Sequence, residues 1–434
     1  LSHGRARESR TGRAQTGEAR AIVAIVALLL LITPLIVVRD AKEAFRLGQG
    51  LVAGWLGLAS LVVAAWALRR QPHVSWRVLV DRPVLRAMLP LTLVVIAGAA
   101  TTSHPTHYRA AMADFLIGAA CLAGWSLALE APALRRLLLW IIPPATLVAA
   151  LALDQSSGWF GTLDWLQVSA PTARLRITST VGNPGDVAAL LVLPLLVGLD
   201  ATRTIAARWR PLLAVAMVIM ISALVLTATL AAFAALAVGA AVWWLRRPRP
   251  ARSLVAAAAA IAIAGAAIAA APPLRTRVIE KTSQLARGDV NAALTGRLDG
   301  WRAAGAMLAR HPIAGVGFGA FRAAFADTRL DLSRRGVTFY AEQHQVMLAT
   351  PHNEVLSVAA ELGVVGLIAL AWAVWTLGVA LARLTDPDDA PLAWAGAATL
   401  AVLAMVWFPL HVASAAWPWL LGLAWIFRAS EEAG

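Results

Sequence analysis

The chain has 434 residues, 59% of them hydrophobic and 14% charged, a balance too apolar for a water-soluble domain of that length. The formal net charge of +14 could mark a nucleic-acid binder. Its basic residues, however, are spread over loops flanking apolar runs and over one large loop, so anionic membrane lipids are the expected partners and nucleic acid is not. A single cysteine, Cys121, lies inside an apolar run, which excludes a disulfide framework and a thiolate metal site.

Residues 1–20 are polar and basic and read as a disordered cytoplasmic tail against lipid headgroups. Apolar runs follow at about 21–38, 48–68, 87–103, 110–130, 134–153, 186–201, 211–226, 229–245, 253–271, 352–381, 391–408 and 412–427. Each approaches the roughly 20 residues a helix needs to cross a hydrocarbon core of about 30 Å. They predict an all-α polytopic integral membrane protein with about 12 transmembrane helices. The first run is too long for a signal-peptide core and lacks a small-x-small cleavage site before Arg39, so it is expected to be a retained helix. The stretch 211–245 is too long for one untilted span, and Thr227-Ala228-Thr229 offers a reversal.

With that cut, alternate loops collect the arginines: Arg69, Arg70, Arg77, Arg82 and Arg86; Arg135 and Arg136; Arg203, Arg208 and Arg210; Arg246, Arg247, Arg249 and Arg252. Loops left in the cytoplasm carry such an excess, so both termini are expected there. The chain then divides into the tail 1–20, nine helices over 21–271 with an outer loop at 154–185, a large outer loop at 272–351, and three helices with a short tail over 352–434. No internal repeat of fixed period is visible.

The loop at 154–185 ends in Arg174, Arg176 and Gly182-Asn183-Pro184-Gly185-Asp186. Asn183 suits a helix N-cap, Pro184 the first helical position and Asp186 the acid of a capping box. A helix start exposes unpaired N–H groups that favour anions, and with Arg176 nearby a phosphate could bind. The other reading is a plain cap with arginines reaching to headgroups. In the large loop, which holds eleven of the 38 basic residues, Arg297 to Arg310 reads as an amphipathic helix. Leu298, Trp301, Met307 and Leu308 lie toward one side, Arg302 and Arg310 toward the other. His311-Pro312 ends it, and Gly315-Val316-Gly317-Phe318-Gly319 follows as a flexible turn without the βαβ context of a nucleotide fingerprint.

Thr350-Pro351-His352-Asn353-Glu354 repeats the cap grammar, with Thr350 as N-cap, Pro351 at the first position and His352 in the first turn. There the helix dipole disfavours imidazolium, leaving a neutral ring that can act as a base; a structural interfacial histidine is the alternative. Glu354 and Glu361 fall on similar faces, with Glu361 roughly 14 Å along the helix. An acid at that depth calls for a polar cavity or an interhelical partner. His104, His107, His344 and His411 form no metal-ligand spacing, so no metal is expected. An anionic phosphate substrate would then depend on arginine forks, from Arg176, Arg297 and Arg302 and, after them, Arg109 and Arg174.

Taken together, Arg176 before Gly182-Asn183-Pro184, Arg297-Leu298-Asp299-Gly300-Trp301, His311-Pro312-Ile313-Ala314-Gly315-Val316-Gly317, Pro351-His352-Asn353-Glu354 and Glu361-Leu362-Gly363-Val364-Val365-Gly366 resemble the O-antigen ligase and polymerase superfamily of bacterial envelope enzymes. The likeness covers roughly residues 170–370. It departs at Leu230, where family members often carry an arginine after Thr-x-Ser. The resemblance implies a metal-independent, cofactor-free, inverting glycosyltransferase of the inner membrane, its large loop and active site facing the periplasm; it leaves the oligomeric state open, a monomer being one possibility. The implied donor is O-antigen on undecaprenyl pyrophosphate and the implied acceptor a sugar hydroxyl of lipid A–core. His352 and Arg297 would be catalytic. Arg176, Arg174, Asn183, Arg302 and Asn353 would bind the pyrophosphate, with Glu354, Glu361 and Trp301 in support. An O-antigen polymerase or a protein O-oligosaccharyltransferase would share this chemistry with another acceptor. A lipid-linked glycan transporter would instead show repeats and charges near the midplane.

Overall fold

The computed structural model describes residues 17–38, 44–70, 80–100, 102, 104–163, 177–247, 271–340 and 348–433, and every regular element among them is helical. Six helices come first: α1 (Glu18–Ile32), α2 (Arg46–Arg69), α3 (Pro83–Ala97), α4 (Pro105–Ala128), α5 (Ala131–Leu138) and α6 (Ile142–Ser157). A 3-10 turn joins α5 and α6 into one span, Ala131–Ser157. Then follow α7 (Pro184–Thr204), α8 (Arg210–Thr227) and α9 (Leu230–Leu245). Among the described residues of the large loop lie α10 (Pro272–Ala286), α11 (Val290–Ala293), α12 (Arg297–Arg310) and α13 (Phe321–Arg334). The chain closes with α14 (Glu354–Arg383), α15 (Ala390–Val406) and α16 (Ala413–Glu432). Among the described residues eight spans are long and apolar enough to cross a membrane, and α9 and α15 are shorter apolar helices. The run expected at 253–271 lies, but for its last residue, outside the described residues, as do Arg174 and Arg176.

Proline and short polar residues decide several helix ends. Pro83, Pro105 and Pro184 open α3, α4 and α7, positions where a missing N–H costs no helical bond. The expected reversal at Thr227-Ala228-Thr229 is present: α8 stops at Thr227, Ala228 takes a left-handed φ of 46°, and α9 begins at Leu230. The threonine hydroxyls there bond to the carbonyls of Leu224 and Thr227, so they satisfy the end of α8 and do not cap the start of α9.

α7 is the central pillar, with 89% of its apolar window buried against α6, α8, α9, α15 and α16. Its two acids mark its ends. At one end Asp200 accepts from Arg135 at 2.7 Å and from Trp243 at 2.9 Å, with Arg247 at 3.5 Å. The same end of the bundle carries the pairs Arg82–Glu431 and Arg428–Glu432. Many of the arginines expected in the cytoplasm therefore gather at one end. The other end of α7, capped by Asn183, lies under the large loop and is the floor of the site described below.

The large loop has its own small core of Ala303, Ala304, Met307, Phe321, Phe325, Leu348 and Ala360. Burying Met307, Phe321 and Phe325 contributes about 1.5–3 kcal/mol each. This core is shared with α14, whose first two turns supply Ala360. There α14 is broken: Gly363 adopts φ 63° and ψ −157°. Through the break, Val316 and Gly317 donate to the carbonyls of Ala360 and Glu361 at 2.9 and 3.0 Å, and Val364 donates to that of Pro312 at 2.8 Å.

Two expectations change here. The glycine-rich stretch 315–319 is a docked turn, not a flexible one, because its backbone groups complete the broken helix. The acid expected deep in the helix, Glu361, sits level with that turn, and its carboxylate accepts from Gly319 N at 2.9 Å and Phe321 N at 3.1 Å. The stretch after the break, Val364–Arg383, is roughly 20 residues and so about 30 Å long, enough alone to cross a hydrocarbon core.

Glu361→Ala should therefore strip acceptors from two buried N–H groups, at about 1–3 kcal/mol each. Faster amide hydrogen exchange confined to residues 315–325 is expected, and unchanged protection there would refute the docking role. Gly363→Ala should be worse, because its Cβ would stand 2.3 Å from the Ile313 carbonyl oxygen in a backbone region that suits glycine.

Candidate active site

The helix start expected at Thr350 lies three residues later. Asn353 is the N-cap of α14, its Oδ1 accepting from Leu356 N at 2.9 Å. Its Nδ2 donates to the Met405 carbonyl at 2.9 Å, which binds the start of α14 to the end of α15. Both amide atoms are thus engaged in holding the frame. His352 consequently stands just before the helix, in a left-handed conformation with φ 56°. Such a φ is uncommon for a non-glycine residue, although histidine is among those enriched in it. It is held by its own N–H on Thr350 Oγ1 at 3.3 Å and by Nδ1 at 3.2 Å from the Thr350 carbonyl. A carbonyl can only accept, so Nδ1 carries the proton and Nε2 of the neutral ring carries the lone pair.

The ring is clamped by aromatics from the turn after α15. Trp407 and Phe408 stack at 4.9 Å with planes 14° apart, and His352 meets both edge-on, at 5.4 and 4.9 Å between centroids. Two guanidinium groups lie over this platform: Arg297 at 5.6 Å from the Trp407 centroid and Arg46 at 5.7 Å from that of Phe408. Arg46, at the start of α2, also pairs with the buried Asp186 at 3.2 Å.

Glycines permit these approaches. A Cβ on Gly300 of α12 would lie 2.8 Å from Pro351 Cα, and one on Gly185 would lie 2.3 Å from the Trp407 ring. Gly300 is one turn beyond Arg297 on the same helix face, so its contact with Pro351 sets how closely Arg297 approaches His352. Gly182, with φ 94°, rests on Phe45. The turn 182–185 is thus packed between Phe45, next to Arg46, and Trp407.

His352 is expected to be neutral, and it is, for a different reason. Burial and then the Arg297 charge, with Arg46 adding to them, outweigh the Thr350 carbonyl and hold its pKa down at about 4. Nearby, His411 behaves oppositely. Its surroundings desolvate the ring, but the Glu354 carboxylate, 3.2 Å from Nδ1, lifts its pKa to about 9. Glu354 also accepts from Leu410 N at 3.3 Å, so it fixes the turn that carries Phe408 and His411.

Of the other sequence candidates, Asn183 caps α7 through Gly185 N at 2.7 Å, at the floor of the site. Arg302 is exposed and donates to the Thr338 carbonyl at 3.3 Å; Trp301 is half-buried beside it on α12. Arg174 and Arg176 lie outside the described residues. Arg46, Trp407, Phe408 and His411 were missed as site residues. One signal could have found Arg46: Arg39, Lys42 and Arg46 crowd a short loop on the side where basic residues should be scarce. Among the described residues no three of His, Cys, Asp and Glu gather as a metal site.

Compared with known proteins, residues 215–371 match the family model described as O-Antigen ligase. No curated protein matches the chain. The matched stretch includes Arg297, Gly300, His352, Asn353, Glu361 and Gly363; Arg46, Asp186, Trp407, Phe408 and His411 come from outside it.

The electrostatics give a sign that can be checked. Below pH about 6.5 the unfolded chain takes up a proton at position 352, which the folded protein refuses until about pH 4. This residue therefore subtracts stability as pH falls through that window. In histidine-labelled protein, nitrogen chemical shifts should place the titration of His352 near 4 in the native chain and higher in Arg297→Ala. An Arg297→Ala midpoint that does not rise would break the link between the two.

Proposed function

We propose that this chain, whose residues 215–371 match the O-Antigen ligase family model, is a membrane glycosyltransferase of the O-antigen ligase/polymerase kind. In this reading it transfers O-antigen polysaccharide from undecaprenyl pyrophosphate to a sugar hydroxyl of lipid A–core, at the periplasmic face of the bacterial inner membrane. The observation that carries it is the meeting of a base and two guanidinium groups on one aromatic platform: His352 with its Nδ1 anchored, Arg297, and Arg46. The gathering of arginine at the far end of the bundle supports the orientation, since cytoplasmic loops carry the excess of Lys and Arg.

The geometry supports a single displacement. His352 Nε2 takes the proton of the acceptor hydroxyl as its oxygen attacks the anomeric carbon of the donor. The bond from that carbon to the phosphate oxygen breaks, and undecaprenyl pyrophosphate leaves with the electron pair. One displacement inverts the anomeric centre. Arg297 and Arg46 carry forks suited to phosphate oxygens and stabilise the charge that develops on them.

A base with a pKa near 4 is weak at neutral pH. The same two arginines that depress it are those the donor's pyrophosphate would neutralise. Donor binding therefore raises the basicity of His352 and readies it for the acceptor. Such coupling favours transfer to a hydroxyl that arrives after the donor.

The test is transfer by purified protein in lipid nanodiscs, with chelator present, from undecaprenyl-linked O-antigen to lipid A–core. His352→Ala should slow it by about 10²–10⁴-fold and Arg297→Ala by about 10²–10³-fold, with both variants inserting normally. Substantial transfer by either variant would refute its role. Elongation of donor alone, with lipid A–core left unmodified, would replace the ligase reading by a polymerase.

A further inference from the structure

Glu354 and His411 form a carboxylate–imidazole pair that the reaction above does not use. They come from different elements, the first residue of α14 and the turn between α15 and α16. The pair sits at the same aromatic platform: His352 and His411 both pack edge-on against the Phe408 ring, at 4.9 and 6.3 Å between centroids, and Arg46 lies over that ring. The His411 side chain is 40% exposed whereas Glu354 is only 13% exposed. The carboxylate thus anchors the inner edge of an imidazole whose outer edge is open. Because Glu354 takes Nδ1, the remaining donor is Nε2, on the far side of the ring.

Among the described residues three charged groups bear on His411: Glu354 and Glu361 from α14, which favour its cation, and Arg46 from α2, which opposes it. Its environment and that of His352 push two imidazoles of one site in opposite directions, the pattern by which an acid-side and a base-side group are told apart. A ring that stays protonated cannot compete with His352 for the hydroxyl proton. It can give a charge-assisted N–H bond to an anion.

We propose that His411, oriented by Glu354, is a further binding residue of this site, its Nε2–H donating to a phosphate oxygen of the lipid-linked diphosphate substrate. This rests on the reaction proposed above and adds a third cation to Arg297 and Arg46, so the diphosphate would lie along the Trp407–Phe408 platform. Glu354 is then a positioning residue, acting through His411.

The experiment is titration of the full chain in nanodiscs with farnesyl diphosphate as the probe, followed by calorimetry between pH 6 and 8. His411→Gln should weaken binding about tenfold at pH 7. Glu354→Gln should bind more weakly than the unaltered protein, with a loss that is smaller at pH 6 and grows toward pH 8, as His411 without its carboxylate gives up its proton. Affinities taken as ratios to the unaltered protein at each pH cancel the ionisation of the probe. The double variant should match His411→Gln. In the unaltered protein the labelled His411 Nε2 resonance should move on addition of the probe, a readout that needs no variant. Unchanged binding by His411→Gln, with Arg297→Ala still losing it, would overturn the role of His411 and leave the reaction standing. Failure of the unaltered protein to bind farnesyl diphosphate would remove both.

Discussion

The site depends on a buried carboxylate answering a broken helix. At Gly363 the backbone of α14 leaves the helical region, and residues 312–317 close the gap through backbone bonds. Glu361, just before the break, accepts the N–H groups of Gly319 and Phe321. An acid is costly in an apolar setting unless its oxygens are bonded, and here two backbone donors bond them. The result is that a loop, the start of α13 and a transmembrane helix are bonded together. Through their common core, α12 is seated against Pro351, and Arg297 is set beside His352.

Around that seat the charges are arranged by burial more than by pairing. Arg297 and Arg46 lie over aromatic rings, where a cation gains about 0.5–2 kcal/mol from the ring quadrupole. Asp186 steadies Arg46 from beneath. The two histidines share one phenylalanine yet differ in state, because one faces a guanidinium group and a carbonyl and the other a carboxylate. A neutral imidazole and a cationic one can coexist in one small space only if each has its own partner, and each does: the Thr350 carbonyl for His352 and Glu354 for His411.

The opposite end of the bundle shows the same economy. Asp200 of α7 takes Arg135, Arg247 and Trp243, so the central pillar is fixed by ion pairs where the helix ends and by apolar packing between them. At the other end of α7 the Asn183 turn, lying between Phe45 and Trp407, joins the pillar to the floor of the site.

Much of this was legible in the residues. Apolar runs of helix-crossing length located the spans within a few residues, because a bilayer demands continuous hydrophobicity, and the reversal at Thr227-Ala228-Thr229 followed from length and short polar residues. The start and end of α12 at Arg297 and Arg310, and the cap at Asn183, followed from local rules of helix ends. The start of α14 did not. Thr350-Pro351 has the grammar of a cap, but Asn353 takes that role because its amide also reaches the Met405 carbonyl, a partner about 50 residues away. The neutrality of His352 was likewise expected from a helix dipole and is produced by burial and Arg297.

What the sequence determined by itself was the membrane class of the chain, its helix content and the residue types able to do chemistry, since these follow from composition and from interactions within a turn or two. What only the tertiary structure decided was which of those residues meet. Arg46, Trp407 and Phe408 reach His352, and His411 reaches Phe408, from helix ends far apart in the chain, and no local pattern records the packing that brings them there.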